Sequence, residues 1–469
     1  SSAHRSPVMV QPVAAYGSDV CPVRFTAPEP LPVANPASLG RVEITNADPS
    51  TASALAAAIG PQATSVAIPS GTAQTVILTE GLTNQPPADR HWSALAQART
   101  ARAPGARIIL LQGPETVSGL PGLSRTLRKE WPDTNIVTLS LAAPDATTRA
   151  THTLSALAAP SSDMRITADG RASQTQVGPT LTPPNSSAHI VPALWLVTGG
   201  ARGVTATCAI ELAKRTGGTF LLAGRSALSP WPKGVAPTQD LKALRAALAQ
   251  QAVASSEKVK PADIDRTARA ALAGQEIHTT LAALGAAGAT AHYVQLDLSD
   301  TATLAPAISA IQAQHGPITG LVHGAGVLAD KLAMEKTEAE VRKVFGPKVD
   351  GLLALLSAIN TGQLTHIGLF SSASALFGNT GQADYAMANE CLNQLARQLH
   401  AQLPHAQVKS FNWGPWDGGM VDAGLAAHFA QQGISLIGQA DGARIFADQL
   451  LSGNRDIVEL LVGDAWSGA

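Results

Sequence analysis

The 469-residue chain has almost no net charge, few cysteines and no long apolar run. Its formal net charge is −1, so no basic excess favours binding to nucleic acid or to an anionic membrane surface. No uninterrupted apolar run approaches the ~20 residues that a membrane-spanning helix requires. No repeat of 20–50 residues is apparent either, which argues against a solenoid or a propeller. These absences leave an ordinary globular protein as the expectation.

The three cysteines, Cys21, Cys208 and Cys391, lie far apart and show no metal-ligand spacing. They indicate a reducing compartment, hence the cytoplasm, and predict neither a disulfide framework nor a metal site. The first residues, Ser1-Ser-Ala-His-Arg5, include no initiating Met and no apolar signal-peptide region. Such a start is expected of a fragment cut from a longer polypeptide, although a processed chain would look the same.

The length predicts two or three domains. Seven prolines punctuate residues 1–38, which are expected to form an extended linker with short strands at most. Residues 39–185 alternate between strand and helix patterns, which predicts a small parallel sheet, with strands at 41–45, 75–79, 107–111 and 135–140. No glycine-rich turn follows any of these strands, so this subdomain is predicted to be structural. The Pro-Pro-Asn-Ser-Ser segment at 183–187 is typical of a linker.

Residues 186–469 repeat the alternation and add a glycine-rich turn. The strand at 193–197 leads into Thr198-Gly-Gly-Ala-Arg-Gly-Val-Thr205, a helix follows, and a second strand covers 217–223. A turn of this kind lets backbone amides and a helix N-terminus approach a pyrophosphate. The turn therefore predicts a dinucleotide site, whose candidate residues are Thr198, Gly199, Gly200, Arg202, Gly203 and Val204.

Arg225 follows the second strand, where an NAD site would usually carry an acidic residue for the ribose hydroxyls. An arginine suits a 2′-phosphate instead, so NADPH is the predicted cofactor. An ordinary surface arginine is the alternative. Further candidates for cofactor contact lie at the ends of later strands: Ser226, Asp297, Leu298, Gly324, Ala325, Gly326, Gly414 and Pro415. Asp297 either accepts a hydrogen bond from the adenine amino group or caps the next helix.

Two proline- and alanine-rich helical stretches within 230–283 are predicted to be an insertion, because they are too long for a bare connection. A helix around 341–359 contains Lys348. The stretch from Gly418 to Gln439 mixes glycine with apolar side chains and is predicted to form a mobile lid.

The segment from Phe370 to Asn389 carries the candidate chemistry. Ser372 ends an apolar strand, and Tyr385 lies on the Ala-rich helix that follows, four residues before Asn389, so the phenol and the amide share a helix face. A hydroxyl, a phenol and an amide at one strand edge suggest proton delivery to a substrate, although such residues are also common at strand ends and on helices without any catalytic role.

Taken together, these residues resemble the ketoreductase domain of modular polyketide synthases, within the short-chain dehydrogenase/reductase superfamily, and above all the ketoreductase of polyunsaturated fatty acid synthases. The resemblance rests on the 198–205 turn, the Ala273-Gly-Gln-Glu-Ile277 stretch and four spaced residues. Lys348 precedes Ser372 by 24 residues, Ser372 precedes Tyr385 by 13, and Tyr385 precedes Asn389 by four. This order and spacing match the Lys-Ser-Tyr-Asn tetrad of the family.

The resemblance implies an α/β fold of two Rossmann-like parallel-sheet subdomains, the N-terminal one degenerate and structural, the C-terminal one catalytic. It implies NADPH-dependent reduction of a β-ketoacyl thioester on an acyl carrier protein, beside other domains of a megasynthase. Tyr385 would donate the proton and Ser372 a second hydrogen bond; Lys348 would lower the pKa of the tyrosine and hold the ribose; Asn389 would position a water. A silent scaffold domain and a free-standing alcohol dehydrogenase are the alternatives.

The chain departs from the family pattern in two places. Thr205 stands where the superfamily turn usually has its last glycine. Leu328-Ala-Asp330 stands where one stereochemical class has Leu-Asp-Asp, and Phe377 stands where the other class has Trp, which leans weakly towards a 3R product.

Overall fold

The computed structural model describes residues 14–113, 116–158, 163–185, 191–418, 421 and 423–466. Within these ranges the strands alternate with helices along most of the chain. The strands are β1 (Val20–Phe25), β2 (Glu29–Pro30), β3 (Val42–Thr45), β4 (Ala63–Val66), β5 (Thr75–Gly81), β6 (Arg107–Gln112), β7 (Asn135–Leu141), β8 (Met164–Ile166), β9 (Arg171–Ser173), β10 (Thr175–Val177), β11 (Leu194–Thr198), β12 (Thr219–Gly224), β13 (Thr290–Gln295), β14 (Gly320–His323), β15 (His366–Ser372), β16 (Gln407–Trp413) and β17 (Glu459–Val462).

The helices carry local start and stop signals. The Asp48 side chain accepts a hydrogen bond from Thr51 N–H at the start of the first helix, and Thr337 and Glu340 form a capping box at the start of the ninth. The helices are α1 (Pro49–Ile59), α2 (Pro87–Ala101), α3 (Leu120–Glu130), α4 (Ala146–Leu157), α5 (Gly203–Thr216), α6 (Leu241–Ala254), α7 (Pro261–Ala286), α8 (Thr301–His315), α9 (Glu338–Phe345), α10 (Gly351–Ala358), α11 (Ala373–Phe377), α12 (Ala383–Gln402), α13 (Ala423–Gln431) and α14 (Gln439–Ser452).

The strands of the described ranges form two sheets. The larger has the order β10-β1-β17-β16-β15-β14-β11-β12-β13 and is parallel from β17 to β13. The smaller has the order β2-β9-β8-β7-β6-β5-β3-β4 and is parallel from β8 to β4. The prediction of two parallel-sheet subdomains is therefore confirmed. In the larger sheet the carboxyl ends of β11, β12, β14, β15 and β16 meet at one edge, which is where an open α/β sheet forms its binding crevice.

The two subdomains share a hydrophobic core. Leu123 and Leu127 of α3 belong to the same buried cluster as Phe345 of α9 and Met387 and Cys391 of α12. Burying apolar surface between the subdomains stabilises their association at roughly 25 cal/mol per Å². Helix α3 of the smaller subdomain thus packs directly against the helix that carries Tyr385.

The expectation of an extended linker over residues 1–38 is wrong at Val20–Phe25. This segment is the strand β1, which pairs antiparallel with β17 on one side and with β10 on the other. Strand β10 lies within 39–185. The predicted linker and the predicted structural subdomain therefore each contribute one strand to the larger sheet. Residues 1–13 and 186–190 lie outside the described residues, and with them parts of the two predicted linkers.

The predicted insertion at 230–283 is only partly separate from the fold. Helix α7 extends to Ala286 and connects β12 to the parallel strand β13, which makes its second half the ordinary crossover helix. Ile277 and Leu284 are buried in the core beside the larger sheet, whereas α6 packs on the first half of α7 around Leu244, Ala268 and Ala271. The extra helix pair is an extension of a normal crossover.

The helix expected around 341–359 is also interrupted. A π-helical turn at Gly346–Asp350 separates α9 from α10, and this turn carries Lys348. Such turns occur often at functional sites because they shift one side chain out of the helical register. Within the predicted lid the structure shows helix α13, while residues 419, 420 and 422 lie outside the described residues. Across the described ranges, no helix is long and apolar enough to cross a membrane.

Candidate active site

The glycine-rich turn joins β11 to α5 at the carboxyl edge of the larger sheet. Gly199 and Gly203 both have positive φ angles, +68° and +63°, which side chains other than glycine rarely adopt. A Cβ at Gly199 would also lie 2.8 Å from the Ala325 nitrogen. No side chain caps α5, so its first amide groups remain available to a ligand. The local structure is that of an anion cradle.

The structure accounts for Thr205 in place of the usual last glycine. Thr205 is buried, and its side chain occupies the space beside the Gly324 backbone where a Cβ would overlap with it. The glycine that the turn lacks at position 205 is replaced by Gly324, which follows the facing strand β14. Close approach of α5 and the loop after β14 is therefore kept by a different glycine.

Arg225 and Ser226 follow β12 and line the same cleft. Arg225 is exposed, and within the described part of the chain its guanidinium has no hydrogen bond or ion pair. The Tyr293 hydroxyl donates to the Ser226 carbonyl at 2.6 Å and so fixes the backbone beside Arg225. Tyr293 was not predicted, because nothing in its neighbourhood in the sequence marks it. The arrangement leaves the Arg225 side chain free to meet an anion.

Asp297 lines the cleft but does not cap helix α8. Its Oδ1 accepts a hydrogen bond from Ser299 N–H at 2.9 Å, and the N-cap residue of α8 is Asp300. The capping alternative is therefore wrong, since the N-cap residue of the helix lies three residues after Asp297. Contact between Asp297 and an adenine stays a prediction.

Lys348 is buried, and its ammonium group lies at the centre of the candidate site. Its Nζ donates to the Phe370 carbonyl at 3.0 Å and lies 5.3 Å from the centre of the Tyr385 ring. A Cβ at Gly326 would lie 3.3 Å from Nζ, so the small residue keeps the cleft open beside the ammonium group. Burial lowers the pKa of Lys348 to about 7.

Ser372 ends β15 and has its proton free to donate. Its Oγ accepts hydrogen bonds from Ser374 N–H at 3.1 Å and from Ser374 Oγ–H at 3.0 Å. Because both bonds use the oxygen as acceptor, the Ser372 O–H can donate into the cleft. The short helix α11 therefore orients the Ser372 hydroxyl and leaves its proton available as a hydrogen-bond donor.

Tyr385 lies in the first turn of α12 and faces the cleft beside Lys348. Burial raises the pKa of Tyr385, while a hydrogen bond with Asn389 opposes that shift. The expectation that Lys348 lowers the pKa of this phenol stays a prediction, since burial is the largest cause of the raised pKa and the Asp330 charge adds to it. A raised pKa keeps the phenol protonated, which is the state that a proton donor requires.

Asn389 stands one helical turn behind Tyr385. Its Nδ2 donates to the Tyr385 carbonyl at 2.8 Å, whereas its buried Oδ1 has no partner among the described protein atoms. Buried carbonyl oxygens are almost always hydrogen-bonded, so this one is an acceptor available to a relay. Asn389 does not itself line the cleft.

The candidate residues converge, with three exceptions. A cleft of about 1610 Å³ is lined by most of them. Thr198, Gly200 and Asn389 lie behind its wall. Thr198 Oγ–H donates to His323 Nδ1 at 2.8 Å, and His323 Nε2–H donates to the Lys348 carbonyl at 2.8 Å, which makes Thr198 a support for the lysine turn. The lining candidates are Gly199, Arg202, Gly203, Val204, Arg225, Ser226, Asp297, Leu298, Gly324, Ala325, Gly326, Lys348, Ser372, Tyr385, Gly414 and Pro415.

Other lining residues were missed by sequence reasoning. Gln275, Glu276 and Thr280 reach the cleft from α7, and the Thr280 hydroxyl donates to the Ala201 carbonyl at 2.8 Å within the glycine-rich turn. Treating 230–283 as an insertion concealed this contact. The opposite wall includes Trp413 and Trp416, which no motif distinguishes from ordinary core residues.

The structural subdomain touches the helix of the candidate tyrosine through two glycines. Gly119 and Gly122 lie so close to the Met387 and Ala386 backbone that a Cβ on either would overlap with it. Close backbone approach of this kind is a reason for glycine in the first turn of α3. The smaller sheet therefore supports the segment between Tyr385 and Asn389.

A glycine-rich turn opening a helix, with a tyrosine, a lysine and a serine at the same sheet edge, defines a nicotinamide-dependent oxidoreductase of the short-chain dehydrogenase/reductase class. Residues 193–418 match the family described as the KR domain. Family members act on β-keto groups.

Relatives with curated descriptions are much longer than this chain. The chain is 38% identical over 277 residues to a polyunsaturated fatty acid synthase polypeptide of Thraustochytrium sp., a match that covers 57% of this chain and 10% of the relative. It is 38% identical over 138 residues to polyketide synthase PksN of Bacillus subtilis, covering 28% of this chain and 2% of that protein. The chain thus spans a small part of each synthase.

Solved structures share the whole fold. A ketoreductase domain from the bacillaene assembly line has a TM-score of 0.68 and 20% identity, with 96% of this chain and 97% of that chain covered. An A-type ketoreductase from a modular polyketide synthase has a TM-score of 0.70 and 19% identity, with 95% and 92% covered. At these identities the likeness concerns the fold.

Proposed function

We propose that the chain reduces a β-ketoacyl thioester to the β-hydroxyacyl thioester with NADPH, as one domain of a polyketide or polyunsaturated fatty acid synthase. The observation that carries this proposal is the convergence of Ser372, Tyr385 and Lys348 with the glycine-rich turn on one cleft. The match of residues 193–418 to the KR domain family supports the same reaction.

The proposed roles follow from the hydrogen-bonding capacity of each side chain. When bound, NADPH supplies the hydride that reduces the ketone carbon. Tyr385 donates a proton to the ketone oxygen, and the free Ser372 O–H donates a second hydrogen bond to it, so the developing negative charge is stabilised. Lys348 holds the nicotinamide ribose, and its charge becomes more favourable once the phenol has lost its proton. The free Oδ1 of Asn389 positions a water that returns a proton to Tyr385.

Arg225 is the basis for proposing NADPH rather than NADH. Its exposed guanidinium has no protein partner in the described ranges, and Ser226 beside it can add a hydroxyl. A bidentate, charge-assisted contact with a 2′-phosphate would satisfy the N–H donors of this guanidinium. The pyrophosphate would lie on the uncapped start of α5, the adenine beside Asp297 and Leu298, and the nicotinamide beside Gly326, with Gly414 and Pro415 closing the site.

We place the domain in the cytoplasm, where its three buried, unpaired cysteines would remain reduced. The substrate would arrive on the phosphopantetheine arm of an acyl carrier protein, and the neighbours would be other domains of the synthase. The Leu328-Ala-Asp330 stretch supports a product with the 3R hydroxyl.

The test compares two tyrosine variants in an assay of NADPH consumption with a model β-ketoacyl thioester. Tyr385→Phe should retain NADPH binding and lose turnover by about a hundredfold or more, because one general acid contributes about 10²–10⁴-fold. Tyr16→Phe is the matched control, since its phenol donates to Asp448 at 3.0 Å far from the cleft. Wild-type inactivity would support the silent scaffold, and full activity of Tyr385→Phe would refute the assignment.

A further inference from the structure

Two loops wall the cleft on the Tyr385 side. Loop 327–337 contributes Val327, Leu328 and Asp330, and loop 378–382 contributes Asn379, Thr380 and Gln382. Two hydrogen bonds join the loops directly. Lys331 N–H donates to the Gly381 carbonyl at 2.9 Å, and Gln382 Nε2 donates to Asp330 Oδ2 at 3.0 Å. A substrate ketone beside Tyr385 would lie between these loops.

A carboxylate from the structural subdomain bridges the same two loops. Glu130, the last residue of α3, accepts a hydrogen bond from Ala333 N–H at 2.7 Å with one oxygen. Its other oxygen accepts a hydrogen bond from Gly381 N–H at 2.8 Å. The partners lie 203 and 251 residues away along the chain. One side chain thus fixes the distance between the two loops.

The position of Glu130 is unfavourable for the helix itself. A negative charge in the last turn of a helix faces the negative end of the helix dipole, which costs about 0.3–1 kcal/mol. Two charge-assisted hydrogen bonds to backbone amides outweigh this cost. Only a carboxylate supplies two equivalent acceptors at this spacing, whereas a glutamine would place an NH₂ group against one of the two amide donors.

Arg99 of α2 binds two backbone carbonyl groups of loop 327–337. Its Nε donates to the Ala333 carbonyl at 2.6 Å, and its Nη2 donates to the Lys336 carbonyl. The guanidinium lies 5.1 Å from the centre of the Trp92 ring. Ala333 is therefore bound at its amide by Glu130 and at its carbonyl by Arg99, both from the structural subdomain.

We propose that Glu130, supported by Arg99, is a positioning residue for ketone reduction: it holds loops 327–337 and 378–382 at the separation that orients the substrate beside Tyr385. This rests on the proposed function for its catalytic consequence, but the clamp between the loops can be tested alone. Because loop 327–337 includes Leu328 and Asp330, the clamp also controls which face of the ketone receives the hydride.

The test uses two variants of the clamp and two controls. Glu130→Ala removes both acceptors, and Glu130→Gln keeps one. Ile109→Val removes a methyl group from a buried core cluster of the same subdomain that contains no residue of either loop. Glu335→Gln removes an exposed charge from loop 327–337 without removing a hydrogen bond to Glu130.

The first measurement is amide hydrogen exchange, which needs no activity. Exchange at both Ala333 and Gly381 should accelerate about tenfold or more in Glu130→Ala, and exchange at one of the two amides should do so in Glu130→Gln, the effect of losing one charge-assisted hydrogen bond. Ile109→Val and Glu335→Gln should leave these two amides as protected as in the wild type. Unchanged protection in Glu130→Ala would overturn the clamp, and Glu130→Gln answers the same question if Glu130→Ala fails to fold.

The second measurement is steady-state reduction of a β-ketoacyl thioester with chiral analysis of the product. The Glu130 variants should lose about ten- to a hundredfold in kcat/KM, the scale of a small misplacement of reacting groups, and should yield a less uniform product. NADPH affinity should stay within about twofold, because the clamp lies away from the glycine-rich turn. Wild-type kcat/KM and product ratio in Glu130→Ala would overturn the positioning role. An inactive wild type would refute the proposed function, with the exchange experiment still deciding the clamp.

Discussion

Lys336 and Asp384 form an ion pair of 2.8 Å in which both side chains are 0% exposed. Lys336 Nζ also donates to the Ala329 carbonyl at 2.7 Å, and Asp384 Oδ1 accepts a hydrogen bond from Tyr385 N–H at 2.8 Å. The pair therefore joins loop 327–337 to the first turn of α12, immediately before the candidate tyrosine. Burial raises the pKa of Asp384 to about 6, and the Lys336 charge opposes that shift.

Removal of this buried cation should be costly. Lys336→Met should lower the free energy of unfolding by about 3–5 kcal/mol, because it leaves the Asp384 carboxylate buried without its partner. Lys331→Met is the matched control, since its ion pair with Glu340 is partly exposed and should contribute about 0–1 kcal/mol. Urea unfolding of both variants at pH 7 measures the difference, and equal losses would contradict the importance of burial.

The buried Lys348 should make stability depend on pH. Its pKa is about 7 in the folded protein and about 10.4 in an unfolded chain, so between these values the unfolded state binds more protons. The free energy of unfolding should then rise with pH, by at most about 1.4 kcal/mol per pH unit. Cofactor-free wild type should thus gain about 1–3 kcal/mol relative to Lys348→Met between pH 7 and pH 9.5. Parallel pH profiles of the two proteins in denaturant titrations would contradict the lowered pKa.

Arg225 should decide the choice between the two nicotinamide cofactors. Arg225→Ala should weaken NADPH binding by about ten- to a hundredfold, the value of one hydrogen bond to a charged group or more, and should leave NADH binding almost unchanged. Arg455→Ala, an exposed arginine outside the cleft, is the control. Titration of cofactor fluorescence gives both affinities, and equal losses for NADPH and NADH would show that Arg225 does not contact the 2′-phosphate.

Thr205 and Gly324 should be energetically coupled. Gly324→Ala should destabilise the protein by about 1–3 kcal/mol, since the added methyl group overlaps with the Thr205 side chain. Thr205→Gly in the same chain should recover part of this loss by restoring the space. A double-mutant cycle in urea checks the coupling, and purely additive effects would mean that the two side-chain positions do not share one space.

Much of the site could be predicted because its signals are local. Ser372 ends a strand of the larger sheet and Tyr385 lies on the helix that follows it, while Lys348 was found from its spacing to Ser372. The carboxyl ends of parallel strands meet at one edge. Glu130 could not be found in this way. Its partners Ala333 and Gly381 lie more than 200 residues away, and their contribution is backbone N–H, which every non-proline residue possesses.

The difference between local signals and distant contacts also separates the predicted strands from the missed ones. Strands 194–198 and 219–224 are mainly apolar runs bounded by turns, whereas Val20–Phe25 contains Pro22 and lies among six other prolines. Pairing with two distant strands, β10 and β17, makes this segment a strand, and β17 is more than 400 residues away. The raised pKa of Tyr385 was missed for a similar reason, because a motif shows which charge is near but not how much water is excluded.

Strand β1 has a practical consequence for moving the larger subdomain into another protein. A fragment cut at residue 186 would leave β17 with an open edge, since both antiparallel strands beyond it would be lost. Exposed strand edges invite pairing between molecules and aggregation. A transplanted fragment should therefore begin before Val20. The segment that precedes the structural subdomain is part of the folded unit and not a linker to it.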